Sequence, residues 1–580
     1  MWLVNCNTLK LENFIGSNIP AYAILSHTWE EDEVSFQELD GLCPGSPLPT
    51  FLRQDIYEST PKGYHKIYET CRLALERGLQ YAWIDTCCIN KESSAELTES
   101  INSMFKWYQN AVECYAFLSD LPSAEASDEK ARGLGSCRWF TRGWTLQELI
   151  APKEVRFYNN TWTYAGNREE WSSKISCITN INEEALLGVP PEAFSVATRM
   201  SWASRRETTR IEDLSYSLFG LFQVNMPLIY GEGPNAFLRL QEEIIKRSND
   251  LTILAWNHDP NRRPWEGVLA QAPAAFAESK VITCVSRALL DPVFALTNKG
   301  LRFDNFPMPY NKIGLRDLSC NTVDLPQGDS YFIPLGYHVT DRAWIAKRWI
   351  ILPLRKIGPN YFARHGNLVS YFDSGAGSNL INFHLHTNIW NDRDEGTFKQ
   401  REVISFVRRN FQVQKVVPES YWDRKDLVFF LPPMESRLFL AVSGAIRAVI
   451  PIPLIVCIER GRKFTPECII IDPEKHNELS SLLFSQRRFA YDATWDDIKL
   501  AEPEISQFTN QVEVIKENTT FLVTASVCSS HQASRSLRAE SELEAEGCFI
   551  NFQVEVLTPA GLLPTSMLNH HLQAREEESR

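Results

Sequence analysis

The sequence lacks the cysteine spacing of structural zinc sites and of disulfide frameworks. Among its 580 residues are 14 cysteines, and no two of them form a Cys-x-x-Cys pair. Reduced thiols are therefore expected, as is usual in the cytosol. His384 and His386 would share one face of a strand and could supply two metal ligands, but no third ligand is evident nearby. We accordingly predict no metal site.

Excess positive charge and long uninterrupted apolar runs are also missing. The formal net charge is −13 and no segment clusters Lys and Arg, so nucleic acid is not an expected partner, although a small anion could still be held locally. The first 14 residues do not resemble a signal peptide. The most apolar run, residues 438–458, is interrupted by Arg447, Pro451 and Pro453. This favours two buried strands joined at a bend over a membrane span, and we predict a cytoplasmic protein.

What is present, from about residue 21 to residue 158, is a regular alternation of strand and helix patterns. The predicted strands are YAILS, LQYAWID, VECYAFLSD and EVRFYN. The helices between them are GYHKIYETCRLALERG, ended by Gly78, then SSAELTESINSMFKWYQNA with Ser94 as its cap, then RGWTLQEL. The order β-α-β-α-β-α-β predicts a parallel sheet with right-handed crossovers.

The rest of the chain divides into two further regions of different texture. We predict an α/β domain over residues 1–165, a helical module over 166–277 and a mostly antiparallel β region over 278–580, built as one or two sandwiches. In the helical module, Pro234 suits a first helical position, and the segment LTILAW is typical of a strand.

Polar and aromatic side chains follow three of the predicted parallel strands. Ligands bind in such sheets outside the carboxyl ends of the strands, so these side chains are candidates for a site. They are Ser26, His27 and Trp29 after the first strand, Asp85 and Asn90 after the second, and Arg142, Trp144 and Glu148 beyond the third.

Three stretches in this order resemble the fungal heterokaryon-incompatibility (HET) domain. They are YAILSHTW, YAWIDTCCINKESSAELTESINSMFKWYQNA and RWFTRGWTLQELIAP, and residues 206–256 resemble the module that commonly follows that domain. Lys91 stands where the family often has Gln, which puts in doubt any contact that needs a neutral amide there. No phosphate-binding GxxxxGK[ST] loop and no WD-type repeat occurs, unlike in some larger HET proteins.

The HET domain in turn looks like a divergent relative of the Toll/interleukin-receptor (TIR) domain, which has a flavodoxin-like fold. The TIR motif S-x-W-C-x-x-E-L matches residues 142–149 at its Trp, Glu and Leu positions, with Arg142 and Thr145 in place of Ser and Cys. In TIR enzymes that cleave NAD, the Glu of this motif is the catalytic carboxylate. The resemblance implies that Glu148 is catalytic and that NAD is a substrate rather than a bound cofactor.

Hydrolysis at the nicotinamide–ribose bond builds positive charge on the ribose, which one fixed carboxylate can stabilise. We therefore expect Glu148 at the mouth of the sheet with the Trp144 indole beside it, stacked on a flat heterocycle. Ser26 and nearby backbone amides would bind the ligand, and Trp29 would form a wall of the site. Several of these residues also have a structural alternative: Trp144 packs on the adjoining helix while Glu148 caps or pairs with Arg142, Trp29 covers the core, and His27 lies in a turn.

Asp85 either orients the ribose or caps the following turn through an Asx hydrogen bond, and the cap is the favoured reading. Cys87 or Cys88 with His27 and Asp85 would form a thiol-hydrolase set, although neither cysteine has an evident activating partner.

The expected function is that of a fungal cell-death effector of the incompatibility type, which hydrolyses NAD when copies of the TIR-like domain self-associate. The β-rich C-terminal region would bind an unknown protein partner or restrain the N-terminal domain. The alternative is a non-catalytic module that signals by self-association alone, in which the Trp and Glu side chains serve packing.

Overall fold

The computed structural model describes most of the N-terminal half of the chain and, beyond it, mainly strands. The described residues are 1–16, 18–41, 62–123, 133–257, 267–284, 293–309, 330–338, 348–358, 361–364, 368–372, 378–385, 403–406, 411–417, 422–423, 428–430, 438–446, 450–460, 466–471, 511–516, 519–529, 548–558 and 561–564.

Strands occur along the whole described chain, whereas the helices belong to its first half. In chain order the strands are β1 Trp2–Asn5, β2 Leu11–Asn13, β3 Tyr22–His27, β4 Tyr81–Trp83, β5 Glu113–Phe117, β6 Val155–Tyr158, β7 Tyr164–Asn167, β8 Ile282–Cys284, β9 Val293–Thr297, β10 Gly300–Pro309, β11 Ser330–His338, β12 Arg348–Gly358, β13 Tyr361–Arg364, β14 Val369–Phe372, β15 Ser378–Leu385, β16 Val403–Phe406, β17 Phe411–Val417, β18 Trp422–Asp423, β19 Val428–Phe430, β20 Leu438–Ile446, β21 Ile450–Arg460, β22 Pro466–Ile471, β23 Gln511–Lys516, β24 Thr519–Ser529, β25 Cys548–Thr558 and β26 Gly561–Pro564.

The α-helices are α1 Phe36–Asp40, α2 Lys62–Glu76, α3 Ser94–Asn110, α4 Thr145–Ile150, α5 Ser172–Thr179, α6 Glu183–Leu186, α7 Val196–Ala203, α8 Asp213–Tyr216, α9 Phe219–Phe222 and α10 Asn235–Ile245. Short 3-10 helices span Leu134–Ser136, Arg138–Thr141, Pro191–Ala193, Leu251–Leu254 and Pro273–Phe276.

The N-terminal region contains a seven-stranded mixed sheet in the order β2-β1-β4-β3-β5-β6-β7. Its centre is parallel, because β3 pairs in parallel with β4 and β5, and β5 with β6. These are the four strands that the sequence predicted, so the α/β interpretation is confirmed. Strands β1, β2 and β7 add antiparallel edges that the sequence reading missed.

Helix packing explains why the central strands read as continuous apolar segments. Every residue of β3 and of β5 is buried, as expected for parallel strands covered on both faces. Helix α2 is followed by Gly78, whose φ of +77° is the left-handed conformation that favours glycine. Helix α3 is capped by Ser93, which accepts from the Glu96 amide, so the prediction of Ser94 as its cap was one residue off.

Helices α5 to α10 follow the sheet, and we call this part of the chain the helical segment. Its structure corrects two predictions. The LTILAW stretch is not a strand, because residues Leu251–Leu254 form a 3-10 helix. Asp250 causes this outcome by accepting from the amides of Thr252 at 2.9 Å and Val196 at 2.7 Å, which fixes a helical start despite the β-branched residues. Pro234 immediately precedes helix α10 instead of occupying its first position.

The described residues of the C-terminal half form three sheets whose strand pairs are mostly antiparallel, as predicted. The apolar run at residues 438–458 lies in the antiparallel pair β20 and β21, which confirms the prediction of two strands. Residues 447–449, including Arg447, lie outside the described residues. Sandwich packing of the sheets and the domain boundaries at residues 165 and 277 remain predictions. Within the described residues, no helix is both long enough and apolar enough to span a membrane.

Candidate functional site

Glu148 lies on α4, the short helix that follows the 3-10 helix Arg138–Thr141. The helix is fixed at its start by Thr145, whose hydroxyl lies 2.6 Å from the backbone oxygen of Trp139 and 2.9 Å from that of Arg142. All six residues of α4 are buried, and Glu148 itself is only 4% exposed. The expectation of a carboxylate standing at an open mouth of the sheet was therefore wrong for this conformation.

Ser26 contacts Glu148 directly, across the carboxyl edge of the parallel strands. The Ser26 hydroxyl donates to Oε2 of Glu148, and the Trp139 indole Nε1 donates to Ser26 Oγ at 2.8 Å. Tyr108 donates its hydroxyl hydrogen to the backbone oxygen of Leu25 at 2.9 Å, and its side chain also hydrogen-bonds to Glu148. The structure thus brings two predicted residues together and adds Tyr108 and Trp139, which the sequence reading had not selected.

The surroundings of Glu148 favour its neutral form. Burial, reinforced by the negative charge of Asp85, raises the pKa of Glu148 to about 8, although Ser26, Arg206 and Tyr108 act in the opposite direction. At neutral pH the carboxyl therefore mostly carries its proton.

His27, Trp29 and Asp85 form a second cluster at the same edge of the sheet. Nε2 of His27 lies 3.0 Å from Oδ1 of Asp85, and Nε1 of Trp29 donates to Oδ2 of Asp85 at 2.8 Å. Burial alone would raise the pKa of Asp85, but His27, with help from Lys91 and Trp29, lowers it below its ordinary value. Both carboxylate oxygens thus bind side chains across the sheet edge, so the favoured Asx cap was wrong.

Trp29 stands at the surface of this second cluster. Its side chain is 49% exposed, and Nζ of Lys91 lies 3.8 Å from the centroid of its ring. Lys91, the departure from the family pattern, thus makes a cation–π contact. Asn90 is used locally, because its Oδ1 accepts from Nε2 of Gln37 at 2.9 Å and from the Glu92 amide at 3.2 Å. Neither Trp29 nor Asn90 has a contact with Glu148 among the described interactions.

Arg142 and Trp144 contact the helical segment instead of Glu148. Nη1 of Arg142 lies 3.5 Å from the Thr209 hydroxyl, and the Trp144 side chain hydrogen-bonds to Asp213. The pairing of Glu148 with Arg142 is therefore not formed. The indole in the Glu148 network is that of Trp139, so the expectation that Trp144 lies beside the carboxylate was wrong.

The cysteines near this edge are not arranged for nucleophilic attack. Cys87 and Cys88 are buried, and burial raises the pKa of the Cys87 thiol well above its ordinary value. His27 is already paired with Asp85. Within the described part of the chain, no group of three or more His, Cys, Asp or Glu side chains is placed to hold a metal ion; His386 falls outside that part.

A cavity of about 410 Å³ lies at the far end of α4, away from the Glu148 carboxyl. Its walls include residues 150–155 and 185–192 together with Arg168. The Arg168 guanidinium is committed to carbonyl oxygens at the end of α4, including those of Leu149 at 2.8 Å and Pro152 at 2.9 Å. The chemistry-bearing residues therefore converge on the sheet edge and not on this cavity.

Fold and site together define an α/β protein with a buried acid at the carboxyl edge of its parallel strands. Residues 22–132 match the family model "Heterokaryon incompatibility protein (HET)", a segment that includes Ser26 and Asp85 but ends before Glu148. The vegetative incompatibility protein HET-E-1 of Podospora anserina is 43% identical over 257 residues, which is 43% of this chain and 18% of that protein. The chain thus spans less than a fifth of the relative's length. No solved structure matches.

The chain is therefore similar to the HET family over residues 22–132 and to this incompatibility protein over 257 residues.

Proposed function

We propose that this protein is an incompatibility effector whose N-terminal domain is TIR-like and hydrolyses NAD at the nicotinamide–ribose bond when copies self-associate. The observation that carries the proposal is the carboxyl of Glu148, which hydrogen-bonds to Ser26 at the carboxyl edge of the parallel strands. Ligands of open parallel sheets bind at that edge.

The strand order supports a TIR-like fold. Taken in chain order, the four parallel strands are arranged second, first, third and fourth across the sheet, which is the beginning of the flavodoxin-like order. The match of Trp144, Glu148 and Leu149 to the TIR helix motif supports the same TIR-like fold from the sequence.

The reaction needs an ionised Glu148. The bond between ribose C1′ and the nicotinamide nitrogen breaks, and its electron pair leaves with a neutral nicotinamide. The oxygen of a water molecule bonds to C1′ and releases a proton to solvent. A carboxylate beside the ribose stabilises the charge that develops on the sugar. The protonated, buried Glu148 of this structure is therefore an idle form.

Self-association would supply the activating change. Contact with another copy shifts the population towards a conformation in which Glu148 meets water and substrate, provided that the contact binds that conformation more tightly. Exposure removes the burial that raises the pKa of Glu148, so opening the site also ionises the carboxyl. We further propose that the C-terminal β region binds the protein partner that triggers this change, and that the protein acts in the cytoplasm.

A second function is favoured by one specific observation, the burial of Glu148. A carboxyl that is 4% exposed and bonded to Ser26 and Tyr108 can serve the core of a non-catalytic module that signals by self-association. The two functions differ in whether NAD is consumed.

The test uses the purified full-length chain, crowded to force assembly, with NAD loss and nicotinamide release measured by chromatography. Glu148→Gln is expected to abolish turnover while the protein still assembles. Glu113→Gln is the matched control, because Glu113, on strand β5, is another buried acid of the same domain and is bound to Arg77. Assembly and cell toxicity without NAD loss would support the non-catalytic module instead.

A further inference from the structure

Arg206 reaches from the helical segment to the start of the Glu148 helix. It lies three residues beyond α7 and is 6% exposed. Its Nη1 donates to the backbone oxygen of Arg142 at 2.7 Å and to the Thr145 hydroxyl at 2.9 Å. The guanidinium is therefore fixed against α4 from outside the sheet.

Neighbouring backbone bonds hold this segment in place. The Glu207 amide donates to the backbone oxygen of Thr141 at 2.7 Å, and the Gly143 amide donates to that of Glu207 at 2.8 Å, which forms a parallel bridge between Arg142 and Glu207. The approach is close, because a Cβ on Gly143 would lie 2.5 Å from Cγ2 of Thr208. We call residues 206–208 the strap.

The Arg206 guanidinium has hydrogen-bonding capacity that the structure does not use. Its Nε and Nη2 are buried and have no hydrogen-bond partner. Buried, unpaired donors of a cation are costly, so such groups are usually retained where an anion can meet them.

Glu148 is the group whose charge acts on Arg206. Burial lowers the pKa of Arg206 to about 9, which still leaves the guanidinium charged at neutral pH, and an ionised Glu148 raises that pKa. The other titratable groups that act on Glu148 or lie against it are Asp85, Tyr108 and Cys114. None of these three is a cation. Glu148 and Arg206 form no ion pair among the described contacts, as expected while the carboxyl is neutral.

We propose that Arg206 is a positioning residue for Glu148, and that its free N–H groups pair with the carboxylate once the proton leaves and hold it in its ionised form. The role in NAD hydrolysis rests on the proposed function, whereas the pairing itself does not. The functional unit would then extend beyond the sheet to the strap, which lies outside the segment that matches the HET family model.

A double-mutant cycle between Arg206 and Glu148 tests the pairing without relying on NAD hydrolysis. Denaturant unfolding of the full-length chain is measured at pH 5.5 and pH 8.5. The variants are Arg206→Met, Arg206→Lys, Glu148→Gln and the double variants. Arg206→Met is expected to lower the folding equilibrium constant about tenfold more at pH 8.5 than at pH 5.5. Glu148→Gln should remove that extra loss, since no carboxylate then needs a partner.

Arg206→Lys should keep most of the pH 8.5 stability because it retains the charge. If Arg206→Met does not fold, Arg206→Gln removes the charge while keeping N–H donors, and it should show a loss at pH 8.5 of the same sign but smaller size. The proposal would be overturned if Glu148→Gln changed the free energy of unfolding equally in wild type and in Arg206→Met at both pH values.

The pH profile of NAD turnover tests the catalytic consequence. Arg206→Met should shift the rising limb of kcat to higher pH by about one pH unit and lower kcat more than it raises KM, whereas Arg206→Lys stays close to the wild-type profile. A wild-type profile in Arg206→Met would overturn the positioning role. If no variant, including wild type, turns over NAD, the proposed function fails while the unfolding cycle still decides the pairing.

Discussion

Glu148 is kept neutral by its position in the fold. Burial dominates, and the interactions with Ser26 and Tyr108, which lower the pKa of Glu148, only partly compensate for it. Burial favours the neutral form of Glu148 over the charged form. The stability of the conformation in which Glu148 is buried therefore depends on pH.

The first prediction follows from the sign of that coupling. Because the pKa of Glu148 is raised to about 8 in the folded protein, its contribution to stability is fully present below its ordinary unfolded pKa. The contribution declines as pH rises and is lost once pH passes about 8. The melting temperature of wild type should therefore fall relative to that of Glu148→Gln between pH 5 and pH 9, by roughly several degrees for a change on the order of 4 kcal/mol. A melting-temperature difference that stays constant over this range would show that Glu148 is not neutral in the folded state.

Ser26 supports a second prediction at the residue scale. Ser26→Ala removes the donor to Glu148 and the acceptor of the Trp139 indole, leaving a buried N–H without a partner. We expect a loss of about 1–3 kcal/mol in the free energy of unfolding. Trp139→Phe removes the stranded N–H, so the double variant should lose less than the sum of the two single losses. Strict additivity in urea unfolding would contradict the linked hydrogen bonds.

The sequence could nominate these residues but not all of their contacts. Ser26 and Glu148 were both selected because they follow predicted parallel strands, and they do meet across 122 positions of sequence. Trp144 is a candidate because it follows the third strand and matches the TIR motif, but its partner Asp213 lies in a later segment that the motif does not report. Trp139 took the expected place of Trp144 because the 3-10 turn before α4 aims its indole at Ser26.

At the scale of elements, the parallel strands were predictable because they are short, mostly apolar runs that alternate with helices along the chain. The edge strands were missed because β1, β2 and β7 have only four, three and four residues, too few to show a periodicity. The 3-10 helix Leu251–Leu254 was misassigned as a strand because the Asp250 cap outweighed the local strand propensity.

The strap gives the third prediction. Gly143→Ala would place its Cβ 2.5 Å from Cγ2 of Thr208, so the strap has to shift. We expect a loss of about 1–3 kcal/mol in the free energy of unfolding. Thr208→Ser removes that methyl group while keeping the hydroxyl, and it should restore part of the loss in the double variant. Absence of rescue in chemical denaturation would mean that the strap is not packed as described.

At the scale of the whole molecule, the first C-terminal sheet is joined to the helical segment. Arg364 on β13 is fully buried; its Nη1 donates to the Leu254 oxygen at 3.2 Å, and its guanidinium carbon lies 3.6 Å from the centroid of the Trp256 ring. Changes in the β region can therefore reach the helical segment that carries the strap. This path is the physical basis for proposing that partner binding in the C-terminal half alters the Glu148 site.

The net charge of −13 opposes association between copies, because like charges repel over roughly 10 Å at 0.1 M salt. Assembly should therefore be favoured by physiological or higher ionic strength and by crowding. Assays at low salt and low concentration would sample the idle form.

The most direct measurement of the central claim is the rate of nicotinamide release per chain as a function of protein concentration, with assembly followed by light scattering in the same samples. The wild-type rate per chain is predicted to rise as assembly begins, and the rate for Glu148→Gln to stay at background although it assembles. Assembled wild type that releases no nicotinamide, or Glu148→Gln that releases it at the wild-type rate, would contradict the account.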